Sequence, residues 1–260
     1  MRLPATLLLA GILAFPAAGG GVDLEATPYL RRAFTEGERI EYALSWLGIV
    51  GGTAVMTIDP MPDRIRITSL ARSHGAIGRL YPVRDEIESV VDRKTFSTLR
   101  FEKILNERNR HRQALSIFDP VRGIVHRKGE EIPYSPPIFD PLSTVYFLRT
   151  VALTPGKRIP IRLIADDQIY EIEAVVHGRE QLRIDGSVFN TILVEPKMRH
   201  GGIFRDENNR LLIWYTDDSR KVPVRIRSEL DFGHITATIR TSRLGGGEGE
   251  EEAGGGKRSQ

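Results

Sequence analysis

The stretch Ile213-Trp214-Tyr215-Thr216-Asp217-Asp218-Ser219-Arg220-Lys221-Val222-Pro223-Val224-Arg225-Ile226 decides how this chain is read. A short apolar-aromatic run enters a polar segment of two aspartates, a serine and two cations. A second run then leaves with strict two-residue alternation. That period sends successive side chains to opposite faces of a strand, so the stretch predicts strand, tight connection, strand. Asp217 and Asp218 invite an acid-base or metal reading. No histidine or further carboxylate joins them locally, and neighbouring strand residues face opposite ways. Turn formation accounts for them better, with Asp217 kept as a candidate partner for an internal cation.

The same alternation extends outward in both directions. Ile40, Tyr42, Leu44 and Trp46 share one strand face, Gly48, Gly51 and Gly52 mark a turn, and Ala54, Met56 and Ile58 return. Further candidate strands follow at intervals of 8–12 residues, the spacing of an antiparallel sandwich or barrel. Asp185-Gly186 and Lys128-Gly129 are hairpin signals, because a tight turn needs positive φ. One segment breaks the rhythm. Asp140 can cap a helix with Pro141 at its first position, and Leu142 to Val151 can form two to three turns. Apolar residues lie nearly all round this helix, which predicts burial. The expected fold is therefore all-β and mainly antiparallel: a strongly curved sheet, half-barrel or irregular barrel, with one main helix packed on its concave side or closing one end.

Composition sets the class. The chain has 260 residues, 37 Lys and Arg against 34 Asp and Glu, and no cysteine. Near-balanced charge without a concentrated basic run argues against nucleic-acid binding, which needs clustered cations to displace counterions. The lack of cysteine excludes disulfides, thiolate metal sites, cysteine nucleophiles and a lipidation anchor. Residues 1–18 read as a signal peptide: Arg2, an apolar run from Leu3 to Phe15, then Pro16-Ala17-Ala18. Residues 19–33 form a lead-in, 34–242 a single β domain, and 243–260 a Gly/Glu-rich tail too polar to offset its ordering entropy. The expectation is a periplasmic protein that does not span the membrane once the signal is cleaved.

No catalytic set, cofactor motif or metal-ligand spacing stands out among the six histidines and the carboxylates. Glu86 with Glu88, or Glu171 with Glu173, could flank a sugar as acid and base; alternation reads them instead as polar outer faces. Arg149 is more pointed. It falls among Leu142, Val145 and Tyr146 on an apolar helix face, where an unpaired guanidinium would cost several kcal/mol. It must meet a carboxylate (Asp85, Glu88 or Asp217), carbonyls or a ligand anion. Arg149, Tyr146, Trp46, Trp214 and Asp217 are therefore the candidate ligand-binding residues, with both tryptophans equally suited to the core. Arg108, Arg110 and Arg112 share one strand face and form a candidate anion-contacting surface, suited to lipid headgroups or acidic glycan, or to protecting a sheet edge.

The order of features resembles the DUF3108 family of exported bacterial proteins of unknown function. The residues that carry the likeness begin with Gly37-Glu38, Tyr42, Trp46 and Gly51-Gly52, followed by Asp85-Glu86-Ile87-Glu88-Ser89. The helix Asp140 to Arg149 and the turn Pro155-Gly156 come next, then Trp214-Tyr215-Thr216-Asp217-Asp218 and Val222-Pro223-Val224. The likeness spans roughly residues 34 to 242 and implies one envelope-facing β domain. It brings no activity and no catalytic residues. The functional expectation is a non-enzymatic binding or envelope-maintenance protein holding a lipid-like, amphiphilic or glycan ligand between sheet and helix. The alternatives are a carbohydrate-active or hydrolytic enzyme, and an adaptor with an envelope protein partner.

Overall fold

The computed structural model describes residues 33–34, 37–165, 168–198, 210–230 and 233–243. The expected signal peptide, most of the lead-in and nearly all of the tail lie outside the described residues. Fourteen strands form one sheet in the order β8-β7-β6-β5-β4-β3-β2-β1-β14-β13-β12-β11-β10-β9. They are β1 Glu38–Trp46, β2 Ile49–Pro60, β3 Arg64–Ser73, β4 Val83–Asp92, β5 Thr98–Glu107, β6 Arg110–Asp119, β7 Ile124–Arg127, β8 Glu130–Pro133, β9 Arg158–Ala165, β10 Gln168–Ile184, β11 Ser187–Met198, β12 Leu211–Thr216, β13 Pro223–Leu230 and β14 Gly233–Arg243. Two helices lie between them among the described residues: α1 Gly75–Leu80 and α2 Pro141–Thr150. The chain starts in the middle of the sheet, winds out to β8, crosses through α2 to the opposite edge at β9, and winds back until β14 pairs with β1. Every ladder between named strands is antiparallel.

Among the described residues, the sheet does not close by strand pairing. A single parallel bridge, Phe139 to Leu163, ties the segment before α2 to the β9 edge, through Phe139 N to Arg162 O (2.9 Å) and Ile164 N to Phe139 O (2.8 Å). One residue earlier, the Ile138 carbonyl accepts from Thr98 N at the start of β5 (2.8 Å). Strands far apart in the sheet order are thus stapled to neighbouring residues, which requires strong curvature.

All ten residues of α2 are buried. Its N-terminus meets Ser89 of β4 and Thr98 of β5, and its C-terminus meets Glu38 of β1 and Arg220 in the β12–β13 turn. A ten-residue helix is about 15 Å long, so it reaches from one side of the curved sheet to the other. It plugs one end. The opposite end carries α1 and the β1–β2, β3–β4 and β5–β6 connections.

The turn signals follow their chemistry. Asp185 and Gly186 have φ of 46° and 85°, and Lys128 and Gly129 of 50° and 82°. Three elements depart from expectation. β10 is one 17-residue strand, where alternation predicts separate strands at 167–177 and 180–184, because a bulge between Val176 and Gly178 shifts the register and breaks the pattern. α1 carries no sequence signature, having two glycines in six residues and no side-chain cap. Arg108 does not lie on a strand face with Arg110 and Arg112; it sits in the β5–β6 turn at φ 52°.

Candidate functional site

The helix start is built from Asp140. One carboxylate oxygen accepts from Leu142 N and Ser143 N, each at 2.9 Å, and the other from Ser89 Oγ (2.5 Å) and Thr98 Oγ1 (2.8 Å). Ser143 Oγ accepts in turn from Asp140 N (2.8 Å), completing a capping box. The network is fully buried and fixes α2 to β4 and β5. Burial pushes the Asp140 carboxyl up, against the donors that favour its charged form.

At the other end of α2, Arg149 is wholly enclosed. Its guanidinium donates to both carboxylate oxygens of Glu38 (2.5 and 2.8 Å), to Ala33 O (2.7 Å) and, through Nε, to Arg220 O (3.0 Å). Phe34 and Tyr146 lie against it, with ring centroids 4.8 and 5.3 Å from its central carbon. Burial opposes its charge, but the Glu38 carboxylate outweighs burial and holds it protonated. The partners expected from sequence are engaged elsewhere. Asp85 accepts from Asn106 N (3.0 Å), Glu88 pairs with Arg100, and Asp217 pairs with Arg179 at 2.6 Å. Glu38 carried an overlooked signal, because it continues the inward face of Ile40 and Tyr42.

Three tyrosines surround this pair. Tyr42 donates to Pro223 O (2.8 Å) and Tyr215 to Val145 O (2.9 Å), whereas the buried Tyr146 hydroxyl has no hydrogen-bond partner among the described residues. Burial raises all three phenols. Phe34, Phe96, Phe139 and Phe147 add ring contacts at 4.4–6.3 Å, occupying the space between α2 and the wall.

The two tryptophans separate. Trp214 is buried, as a core residue would be, but on the face of β12 away from Tyr215, its indole N–H donating to Glu180 and Arg225 over its ring at 6.0 Å. Trp46 ends β1 at the α1 end, half-buried, and its buried indole N–H has no partner among the described residues. A second polar set lies on β4 to β6. Asp85, Lys103 and Glu107 are buried, and Glu107 pairs with Arg112 at 3.0 Å. Burial, reinforced by the Glu107 charge, pushes the Asp85 carboxyl up to about 7. Sequence reasoning did not join Asp85 to Glu107, 22 positions apart, although both fall on inward parity.

The paired glutamates read as acid and base are each engaged by arginines. Glu86 meets Arg84, Glu88 and Glu102 share Arg100, Glu171 meets Arg162 and Glu173 meets Arg158. Glu195 gathers His177 (2.6 Å), Arg210 (2.7 Å) and Lys197 (3.1 Å), donors that outweigh its burial and hold its carboxyl low. Among the described residues, no three His, Asp or Glu side chains converge as a metal site.

A family model described as "Protein of unknown function (DUF3108)" matches residues 41–240. The chain belongs to the DUF3108 family. The matched span of this DUF3108 chain takes in α2, Trp46, Trp214 and Asp217, while Glu38 falls just before it. No curated protein matches significantly in sequence. Among solved structures, a beta-barrel-like protein of domain of unknown function DUF1849 from Brucella abortus aligns at TM-score 0.55 and 9% identity, covering 82% of this chain and 100% of its own. A DUF1089 family protein from Pseudomonas aeruginosa aligns at TM-score 0.39 and 15% identity, covering 66% of this chain and 87% of its own. The first of these likenesses supports the barrel-like fold and nothing finer.

Proposed function

We propose that this chain is an exported, periplasmic binding or envelope-maintenance protein, without catalysis, that takes an amphiphilic or glycan ligand into the barrel from the α1 end. The observation that carries this reading is the asymmetry of the two ends. At the α2 end, Arg149 is held by Glu38, Ala33 and Arg220, and aromatic rings pack around the helix. At the α1 end, Trp46 holds a buried indole N–H with no partner among the described residues, and β4 of the same sheet carries the buried Asp85 carboxyl, pushed up to about 7. A concave apolar surface with few polar groups is the usual form of a small-molecule site. In this reading Trp46 stacks on the ligand and its N–H finds a partner there.

Native mass spectrometry of protein recovered from its own periplasm tests this. The expected spectrum shows a bound species that organic extraction removes, on a chain lacking residues 1–18. Only ligand-free mass from cells grown in several media would end the reading.

A further inference from the structure

We propose that the α1 end docks on the surface of an anionic phospholipid bilayer. Four of the eight large hydrophobic side chains exposed among the described residues fall on this end: Leu47 (51% exposed), Ile49 (63%), Val50 (48%) and Leu80 (78%). The first three form the β1–β2 tip. Leu80 ends α1, and α1 is held to that tip. His74 N donates to Gly51 O (2.8 Å), and Ile77 packs so closely on Gly51 that an added Cβ would stand 2.4 Å from Ile77 Cδ1.

The cations come to the same place. Arg79 precedes Leu80, and Arg108 N donates to Pro82 O (2.7 Å), which sets the β5–β6 turn beside the end of α1. Arg72, Arg79, Arg108 and Arg110 are exposed, and none forms an ion pair among the described residues. Among the described residues, the acidic groups nearby are engaged or enclosed: Glu107 is buried against Arg112, Glu86 meets Arg84, and Asp85 is buried. Adjacent strands lie about 4.8 Å apart, so the tips from β1–β2 to β5–β6 form a row roughly 20 Å long.

Apolar side chains projecting beside unpaired arginines match an anionic interface, where the first enter the acyl boundary and the second meet headgroup phosphates. A second copy is a poor occupant, since a two-fold contact through this surface would set the same arginines against each other. The surface is also a row of turn tips rather than a groove, which suits a deformable partner. Docking does not depend on a ligand inside the barrel.

The test is co-sedimentation of the full mature chain with vesicles of phosphatidylcholine alone and with roughly 30% phosphatidylglycerol added. Binding is expected only to the anionic vesicles, falling as salt rises. Ile49→Glu with Leu80→Glu should lower the bound fraction about tenfold or more, and so should Arg108→Glu with Arg110→Glu, with unchanged thermal midpoints. Val121→Glu, on a still more exposed side chain at the other end (94%), should bind as the parent does. No anionic-vesicle binding, equal binding to neutral vesicles, or binding that survives both double substitutions would overturn the proposal. Dimerisation abolished by these substitutions, without vesicle binding, would assign the surface to a second copy instead.

Discussion

Arg149 and Glu38 form one buried unit, and the arithmetic of buried charge sets what happens when it is broken. Arg149→Met leaves a carboxylate with no counter-charge and strands the carbonyls of Ala33 and Arg220. The expected loss is about 3–5 kcal/mol. Adding Glu38→Leu removes the orphaned charge and should restore most of that stability. Urea unfolding of the two variants checks this, and a double variant no better than the single one would contradict it. Asp85 makes the second residue-scale prediction. Its folded pKa, about 7, lies above the usual 3.8, so the native state holds the proton more tightly than the unfolded chain. Stability therefore falls as pH rises from about 4 to about 7. Asp85→Asn should flatten that part of the profile and gain on the order of 1–2 kcal/mol at pH 8, discounted for residual solvent. Thermal midpoints taken across this window measure it. A parent profile with no slope there would refute the assignment.

At the scale of elements, α2 is held at its first turn rather than by amphipathic design, because every face of it is buried. Asp140→Ala removes the cap and leaves the Ser89 and Thr98 hydroxyls without their acceptor. These losses should together cost about 2–4 kcal/mol. Asp140→Asn keeps an acceptor for Leu142 N and Ser143 N, and the two hydroxyls can turn to accept from its amide, so it should cost less than half as much. Chemical denaturation of both variants tests the ordering. The Asp140-Pro141 start was legible in sequence because capping is local. The partners of that cap were not, since Ser89 and Thr98 lie 51 and 42 residues away. The β12–β13 connection shows the same division. Asp218 closes its own turn, accepting from Arg220 N and Lys221 N (2.9 Å each), as expected of it. Asp217 takes its partner from Arg179 on β10.

The whole molecule distinguishes two ends of one curved sheet, and the two tryptophans report on different parts of it. In the proposed reading, adding an amphiphile such as a fatty acid should change Trp46 emission and leave Trp214 unmoved. Trp46→Phe should then abolish the fluorescence change, whereas Trp214→Phe should retain it; the reverse pattern would place the ligand on the outer face. Alternation, hairpin turns and the helix cap are encoded within a few residues of one another. The sequence by itself therefore determined the antiparallel β class, the position of α2, and the fact that Arg149 had to find a partner inside. Tertiary structure alone decided that the partner is Glu38, 111 positions away, that Asp85 and Glu107 share an interior, and that the turn at Arg108 bonds to Pro82, just past α1. The reason is physical: local periodicity fixes which face a side chain occupies, but only the curl of the sheet fixes which faces meet.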